Sequence, residues 1–246
     1  MNQGNKLFNN FGSGIHINGD ASQKPGDGLV SYATIENNII YENGRGGGSA
    51  INLDGVMDSV IRNNLAYSNH ASGISLYAID GAAGSSRNQV LNNTFVMASD
   101  GRWVVNMPKS SGGRASPTAN NFRNNVLYTP RSDRGSILVY STAVSGFGSD
   151  NNVVVGRFST DGGKSMISLA QWQRLGYDKQ SIVASPAALF VDVAANNYRL
   201  KSGSAAIDTG ATLALVTTDI SGIARPQGPR HDIGCYEYVV SAPIQR

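Results

Sequence analysis

Apolar and polar positions alternate along most of this chain in a unit that keeps returning. Ser59–Asn69 is apolar at Val60 and Ile61, polar at the pair Asn63-Asn64, apolar again at Leu65 and Ala66, and closes on Ser68-Asn69. The same order runs from Ala33 to Asn43 around Asn37-Asn38, from Gln89 to Val96 around Asn92-Asn93, and from Asn121 to Tyr128 around Asn124-Asn125. Weaker copies lie at Lys6–Phe11 and Asp150–Val155. The second Asn falls at 10, 38, 64, 93, 125 and 152, steps of 26 to 32 residues. A period in the twenties that drifts predicts a solenoid whose coils differ in their loops.

Each unit holds a second apolar run after a Gly-containing turn: Gly14–Asn18, Ala50–Asp54, Gly73–Tyr77, Trp103–Met107 and Ser136–Tyr140. These alternate as strands with one buried face do. Ile15, Ile17, Ile51, Leu53, Ile74 and Leu76 are expected to point inward; His16, Asn18, Asn52, Asp54, Ser75 and Tyr77 outward. Two-residue turns that would close hairpins throughout are missing. Parallel stacking of successive coils, about 4.8 Å apart, satisfies each strand with the next. The Asn pairs then sit at corners, where one amide of each bonds its equivalents in neighbouring coils or the turn backbone. The coil-to-coil extra residues, 20–28, 44–49, 78–87, 108–119 and 129–135, project as loops.

The pattern stops near Gly156. Ser168–Gly176 predicts a short helix with a Ser168/Gln171 capping box, a Gly176 stop, and Leu169, Trp172 and Leu175 on one face. Short strands follow at Leu189–Val193 and Tyr198–Lys201. The expected division is therefore coils over 1–156, and a helix with a closing segment over 157–246. The chain enters its first coil within twenty residues, and terminal repeats normally carry a cap. The expectation is a solenoid whose missing N-terminal coils, or a partner chain, cover the open end.

With this pattern, the chain resembles right-handed parallel β-helix proteins of the pectate-lyase-like superfamily. The likeness rests on the apolar-x-Asn-Asn-apolar and Gly-Ile-x-Leu repeats. It extends to the tail, where Arg199–Gly210, Asp219–Arg225 and Asp232-Ile233-Gly234-Cys235-Tyr236-Glu237 resemble a closing segment of secreted bacterial β-helix proteins. Cys235 stands where Ala is usual and Ala205 where Pro is usual. The resemblance implies an all-β fold, a right-handed parallel β-helix of about five to six coils, and extracellular or cell-surface work on polysaccharides. It is specific for architecture and weak for activity, since a fold hosts many functions.

Composition changes this picture little. The 246 residues are 40% hydrophobic and 15% charged, with a formal charge of +3 from scattered Lys and Arg. That gives no clustered basic face for nucleic acid, and no apolar run has the length of a membrane span. Met1–Asn5 carries no basic or apolar leader. The lone Cys235 allows no internal disulfide and reads as a buried small hydrophobe.

Candidate chemistry centres on the outward row. His16, Asn18, Asn52, Asp54 and Tyr77 form a polar patch with an aromatic, the makings of a sugar-binding face; a solvated sheet face is the plainer alternative. Asp54 and Asp80, one coil apart, are the candidate oxygen ligands for calcium, although Asp80 in Ile79-Asp80-Gly81 also reads as a turn residue. His70, Lys109 and Arg114 are the candidate bases or carboxylate clamps that the resemblance calls for in β-elimination at a uronic acid; a corner His and solvated loop charges are the alternatives. His231, Asp232, Asp208 and Asp219 read as residues that lock the tail. The expected function is binding, and in its enzymatic form cleaving, an acidic extracellular polysaccharide. A non-catalytic surface, adhesion or scaffold module and a glycoside hydrolase, which needs paired carboxylates, are the other readings.

Overall fold

The computed structural model describes residues 1–240. Three sheets of stacked strands run the length of the molecule, six strands in one and seven in each of the others. The first sheet begins with Asn2–Gln3 and continues through Thr34–Glu36, Val60–Arg62, Gln89–Leu91, Asn121–Arg123 and Gly148–Asp150. The second begins with Lys6–Phe8 and ends at Val153–Val154 and Ile182–Val183. The third runs from Ile15–Asn18 through Ser49–Asp54, Ser72–Tyr77, Val105–Met107 and Ile137–Val139 to Arg157–Ser159, closed by the antiparallel Ile167–Ser168. All other pairings within these sheets are parallel between successive coils, as the spacing predicts. The solenoid does not end at Gly156, because Arg157–Ser159 and Ile182–Val183 each add a strand beyond it.

The core is the column of inward side chains. Ile51, Ile74, Val105, Ile137 and Phe158 stack in one register on the third sheet and are fully buried. Ile35, Ile61, Val90 and Phe122 do the same on the first. The expected inward set holds, with Ile17 in the first coil only half-buried.

The corner between the first and second sheets explains the Asn pairs. The first member of each, Asn37, Asn63, Asn92, Asn124 and Asn151, has φ between 49° and 57°. Asn tolerates this left-handed turn better than most residues. The second member points inward. Nδ2 of Asn38 donates to Oδ1 of Asn64 at 2.9 Å, Asn64 to Asn93 at 2.9 Å, Asn93 to Asn125 at 3.0 Å and Asn125 to Asn152 at 3.1 Å. In the first coil the partner of Asn38 is Asn5, not Asn10. Asn10 belongs to a second ladder, Asn10–Asn43–Asn69, at the next corner. A two-member ladder, Asn88–Asn120, stands at the third.

The C-terminal end is sealed by the helix Leu169–Arg174, whose Ser168/Gln171 capping box is formed. Trp172 is fully buried and stacks on Phe158 of the last coil at 4.9 Å. Its indole N–H donates to Asp178, which also accepts from Asn152 Nδ2 at 2.9 Å and so terminates the main ladder. Leu175 lies 56% exposed rather than beside Trp172, because the helix has ended by that residue.

The closing segment returns along the outside. Leu189, Phe190, Tyr198, Leu200, Ile233 and Cys235 bury against Leu65, Val96, Val126 and Val153 of the second sheet. Outward-facing first-member Asn side chains hold it there: Asn63 donates to the Thr218 carbonyl, Asn92 to that of Asp232, and Asn124 to that of Ala211. Within the segment Arg225 is buried in an ion pair with Glu237 at 2.6 Å. Asp232 accepts from the Asp208 and Tyr238 backbone, and Asp219 from Ser221, Ile223 and Glu237. Cys235 is buried with its thiol pushed up to about 12 by desolvation, an inert position.

Candidate functional site

With the second sheet covered by the closing segment, the third sheet presents an outer face of its own. Its register forms a polar column, His16, Asn52, Ser75 and Asn106, followed by Leu138 and Ser159. Five coil steps make that column roughly 24 Å long. A second outward column sets Asn18 beside Asp54 and Tyr77. The columns are cross-tied, since Asn106 Nδ2 lies 3.2 Å from both Ser75 Oγ and the Tyr77 hydroxyl.

The expected site residues are distributed unevenly over this face. His16 and Asn18 are exposed and Tyr77 half-buried, while Asn52 is mostly covered. Asp54 is 2% exposed and does not present a free carboxylate. Its oxygens accept the backbone N–H of Ile79 at 3.0 and 3.2 Å and of Asp80 at 2.7 Å, so Asp54 organises the turn that follows the next coil's strand. Two backbone N–H groups thus engage both carboxylate oxygens of this buried residue, which does not fit its expected role beside Asp80 as a calcium ligand. Asp80 itself is exposed and takes a long bond from Asn18 Nδ2 at 3.3 Å. Asn18, Asp20, Asp80 and Arg114 surround one cavity of about 300 Å³ at the end of the third-sheet strands. Arg114 reaches it because its Nε donates to the Gly81 carbonyl, tying the longest loop to its neighbour.

Lys109 is exposed on that loop. His70 lies elsewhere: it precedes Ser72 at the opposite end of the strand that finishes at Tyr77, roughly 20 Å from the Asp80 cavity by strand rise. There its Nδ1 pairs with Asp100 at 2.8 Å, and its Nε2 is buried with no partner among the described residues. The three candidate bases therefore do not converge.

A richer constellation lies on the same face and was not singled out from the sequence. Ser72, Arg102, Trp103, Asn106 and Arg134 line a cavity of about 450 Å³. Two guanidinium groups, an indole, an amide and a hydroxyl supply donors; no carboxylate lines this cavity, and Arg134 pairs through Nη1 with Asp133 at 3.0 Å. One wall is the loop after Ser159. Asp161 anchors it by accepting from Ser165 N at 3.0 Å and Ser159 Oγ at 2.8 Å, bonds that hold its carboxyl down to about 2. Gly163 has φ +85°, and a Cβ there would lie 3.3 Å from the Trp103 indole nitrogen. A bare glycine thus lets the loop approach the ring. The signal in the sequence was weak, because Arg102-Trp103 and Arg134 sit 31 or more residues apart and meet only when coils stack.

A family model described as "Right handed beta helix region" matches residues 2–163. Three solved chains match significantly. One of them, described as "Crystal structure of pectate lyase Pel9A", is 14% identical with a TM-score of 0.47, and the alignment covers 96% of this chain and 64% of that one. The chain so spans about 64% of the length of that solved relative. A comparison with curated protein sequences found no match.

Proposed function

The chain belongs to the right-handed β-helix family, and from that premise we propose that it binds an acidic polysaccharide along the outer face of its third sheet. The observation that carries this reading is the cavity of Arg102, Trp103, Asn106 and Arg134. Guanidinium forks match carboxylate and sulfate geometry, and Trp103, only 6% exposed, lines the cavity beside them. Toward His16 the polar column is covered at Ser75 and Asn52 and is exposed again only at His16.

Binding is the part of the reading that the geometry supports best. β-Elimination needs a base beside the acidic carbon, and neither His70 nor Lys109 lines the donor-rich cavity. The test is titration of the protein with polygalacturonate, alginate and sulfated glycosaminoglycan oligosaccharides, alongside neutral oligosaccharides of equal length. Acidic ligands are expected to bind with an affinity that falls as salt rises. Arg102→Ala with Arg134→Ala is expected to cost at least tenfold, since a hydrogen bond to a charged group contributes about 1.5–3 kcal/mol. Acidic-ligand affinity unchanged in that double variant would remove the site. Appearance of unsaturated uronate absorbance in the same mixtures would add elimination to binding.

A further inference from the structure

A third cavity, of about 440 Å³, lies on another side of the molecule, between the second sheet and the hairpin formed by Phe190–Asp192 and Asn197–Leu200. Its origin is a break in a column of rings. The outward register of the second sheet reads Phe8, Tyr41, Tyr67, Val96, Tyr128. Phe8 and Tyr41 stack at 4.9 Å and Tyr41 and Tyr67 at 5.0 Å, their planes nearly parallel. At Val96 the solenoid supplies no ring. Tyr198 of the hairpin leans over Tyr67 instead, at 5.1 Å and tilted by 33°. The space toward Tyr128 stays open.

The chemistry around that space differs from the third-sheet site. Tyr128 and Tyr198 give it aromatic walls, while Ser68, Ser99, Ser185 and Asn196 stand about it. No Asp, Glu, Lys, Arg or His lines it. Among the described residues none of these four polar side chains, and neither phenol, makes a side-chain hydrogen bond to the protein. Ser185 illustrates this: it occupies the N-cap position of the helix Pro186–Leu189, yet its hydroxyl does not bond that helix. The Tyr198 hydroxyl, pushed up to about 12 by burial, stays protonated and able to donate.

We propose that this cavity binds an uncharged sugar ring, stacked against tyrosine and hydrogen-bonded by the free hydroxyls and amide. An anionic ligand meets no cation here and a cationic ligand no carboxylate. A wholly apolar ligand would strip water from the serines and Asn196 without replacing its bonds, which is unfavourable. A neutral sugar satisfies both the rings and the polar groups, and the volume lies within the range of small-molecule sites. The inference stands apart from the acidic-ligand reading of the third sheet, because the two sites share no residue.

The test is calorimetric titration of the whole protein with cellotetraose, maltotetraose, mannotetraose and chitotetraose. At least one is expected to bind saturably, with an affinity that does not change between low and high salt. Ser99→Trp, which places a ring in the cavity from an exposed position, is expected to weaken that binding at least tenfold. Ser185→Ala with Asn196→Ala, both on exposed residues, is expected to do the same and serves if the Trp variant misfolds. Arg102→Ala with Arg134→Ala is expected to leave it unchanged. Absence of binding by all four neutral probes at millimolar concentration overturns the proposal. So does neutral binding that survives the Ser185/Asn196 double variant, or that is lost with the two arginines.

Discussion

Asn93 shows how much one corner residue holds. Its Oδ1 accepts both the backbone N–H and the Nδ2 of Asn64, and its own Nδ2 donates to Asn125 Oδ1 and to the Ile61 and Leu91 carbonyls. Asn93→Ala leaves buried groups on three sides without partners, at about 1–3 kcal/mol each. A loss of about 3 kcal/mol or more, read from the urea midpoint, is expected. Asn37 does a different task in the same motif. Its φ of 56° sets the corner, and its side chain makes no ladder bond. Asn37→Gly is expected to stay within about 1 kcal/mol of the parent, because glycine adopts this region freely; Asn37→Val is expected to cost clearly more. The sequence pattern marked both asparagines of each pair, but it placed Asn10 in the wrong ladder. The first coil is long enough for either Asn5 or Asn10 to meet Asn38, and only the strand register decides between them.

At the same scale the tail carries a pH signature. Burial, with Arg225 nearby, holds His231 below its usual 6.5. The folded state favours the neutral ring, so this contribution is full above pH 6.5 and is lost as pH falls through the depressed folded value. Asp232 and Glu237 run the other way: desolvation raises both, so their contribution is full below 3.8 and 4.5 and is lost as pH rises through the raised values. Subtracting the thermal midpoint of His231→Gln from that of the parent, across pH 4.5 to 8, isolates the imidazole. The difference is expected to be flat above pH 6.5 and to turn against the parent below it.

At the scale of elements, Trp172 and Asp178 form one closure. The indole covers Phe158, and the carboxylate takes the indole N–H, Ser181 Oγ and the last ladder amide. Trp172→Ala is expected to cost about 3–5 kcal/mol. Asp178→Ala leaves three buried donors open, and the double variant is expected to cost less than the sum, since the two residues share a bond. Solenoid coils lean mainly on their neighbours. Amide exchange in both variants should therefore rise first in Arg157–Ser159 and Val153–Val154 and last in Ser72–Tyr77. The helix and its capping box were legible in the sequence as a local pattern. That Trp172 would seal the core end-on was not, because the chain does not announce which ring it will stack against.

For the whole molecule, the repeat made the architecture legible: spacing near one coil, alternation within strands and the tail motif all pointed to the same solenoid. The candidate site was legible only in part. The outward row beginning at His16 was read correctly as a row, and its register set Asn18 beside Asp54 and Tyr77 as expected. Burial of Asp54 depended on a turn two dozen residues away, and the Arg102–Arg134 cavity on loops whose lengths differ from coil to coil; neither leaves a trace in a local window. The closing segment is a packing partner rather than an appendage. Deleting residues 184–246 would uncover Leu65, Val96, Val126 and Val153 on one face. Patches of that kind favour association, so the shortened chain is expected to scatter light and bind a hydrophobic dye at concentrations where the parent stays monodisperse.

The main asparagine ladder has a direction. From Asn5 to Asn152 every amide hands its hydrogen toward the C-terminal side, and the last hydrogen meets the negative charge of Asp178. The column is thus an aligned row of dipoles with an anion at its positive pole, the same electrostatic logic that favours acids at the start of a helix. Whole turns inserted or removed in the same orientation leave that polarity intact. A turn grafted in reverse would set two hydrogens, or two oxygens, against each other in a place water does not reach. Lengthening or shortening this protein by complete, like-oriented turns is therefore the engineering route its interior tolerates best.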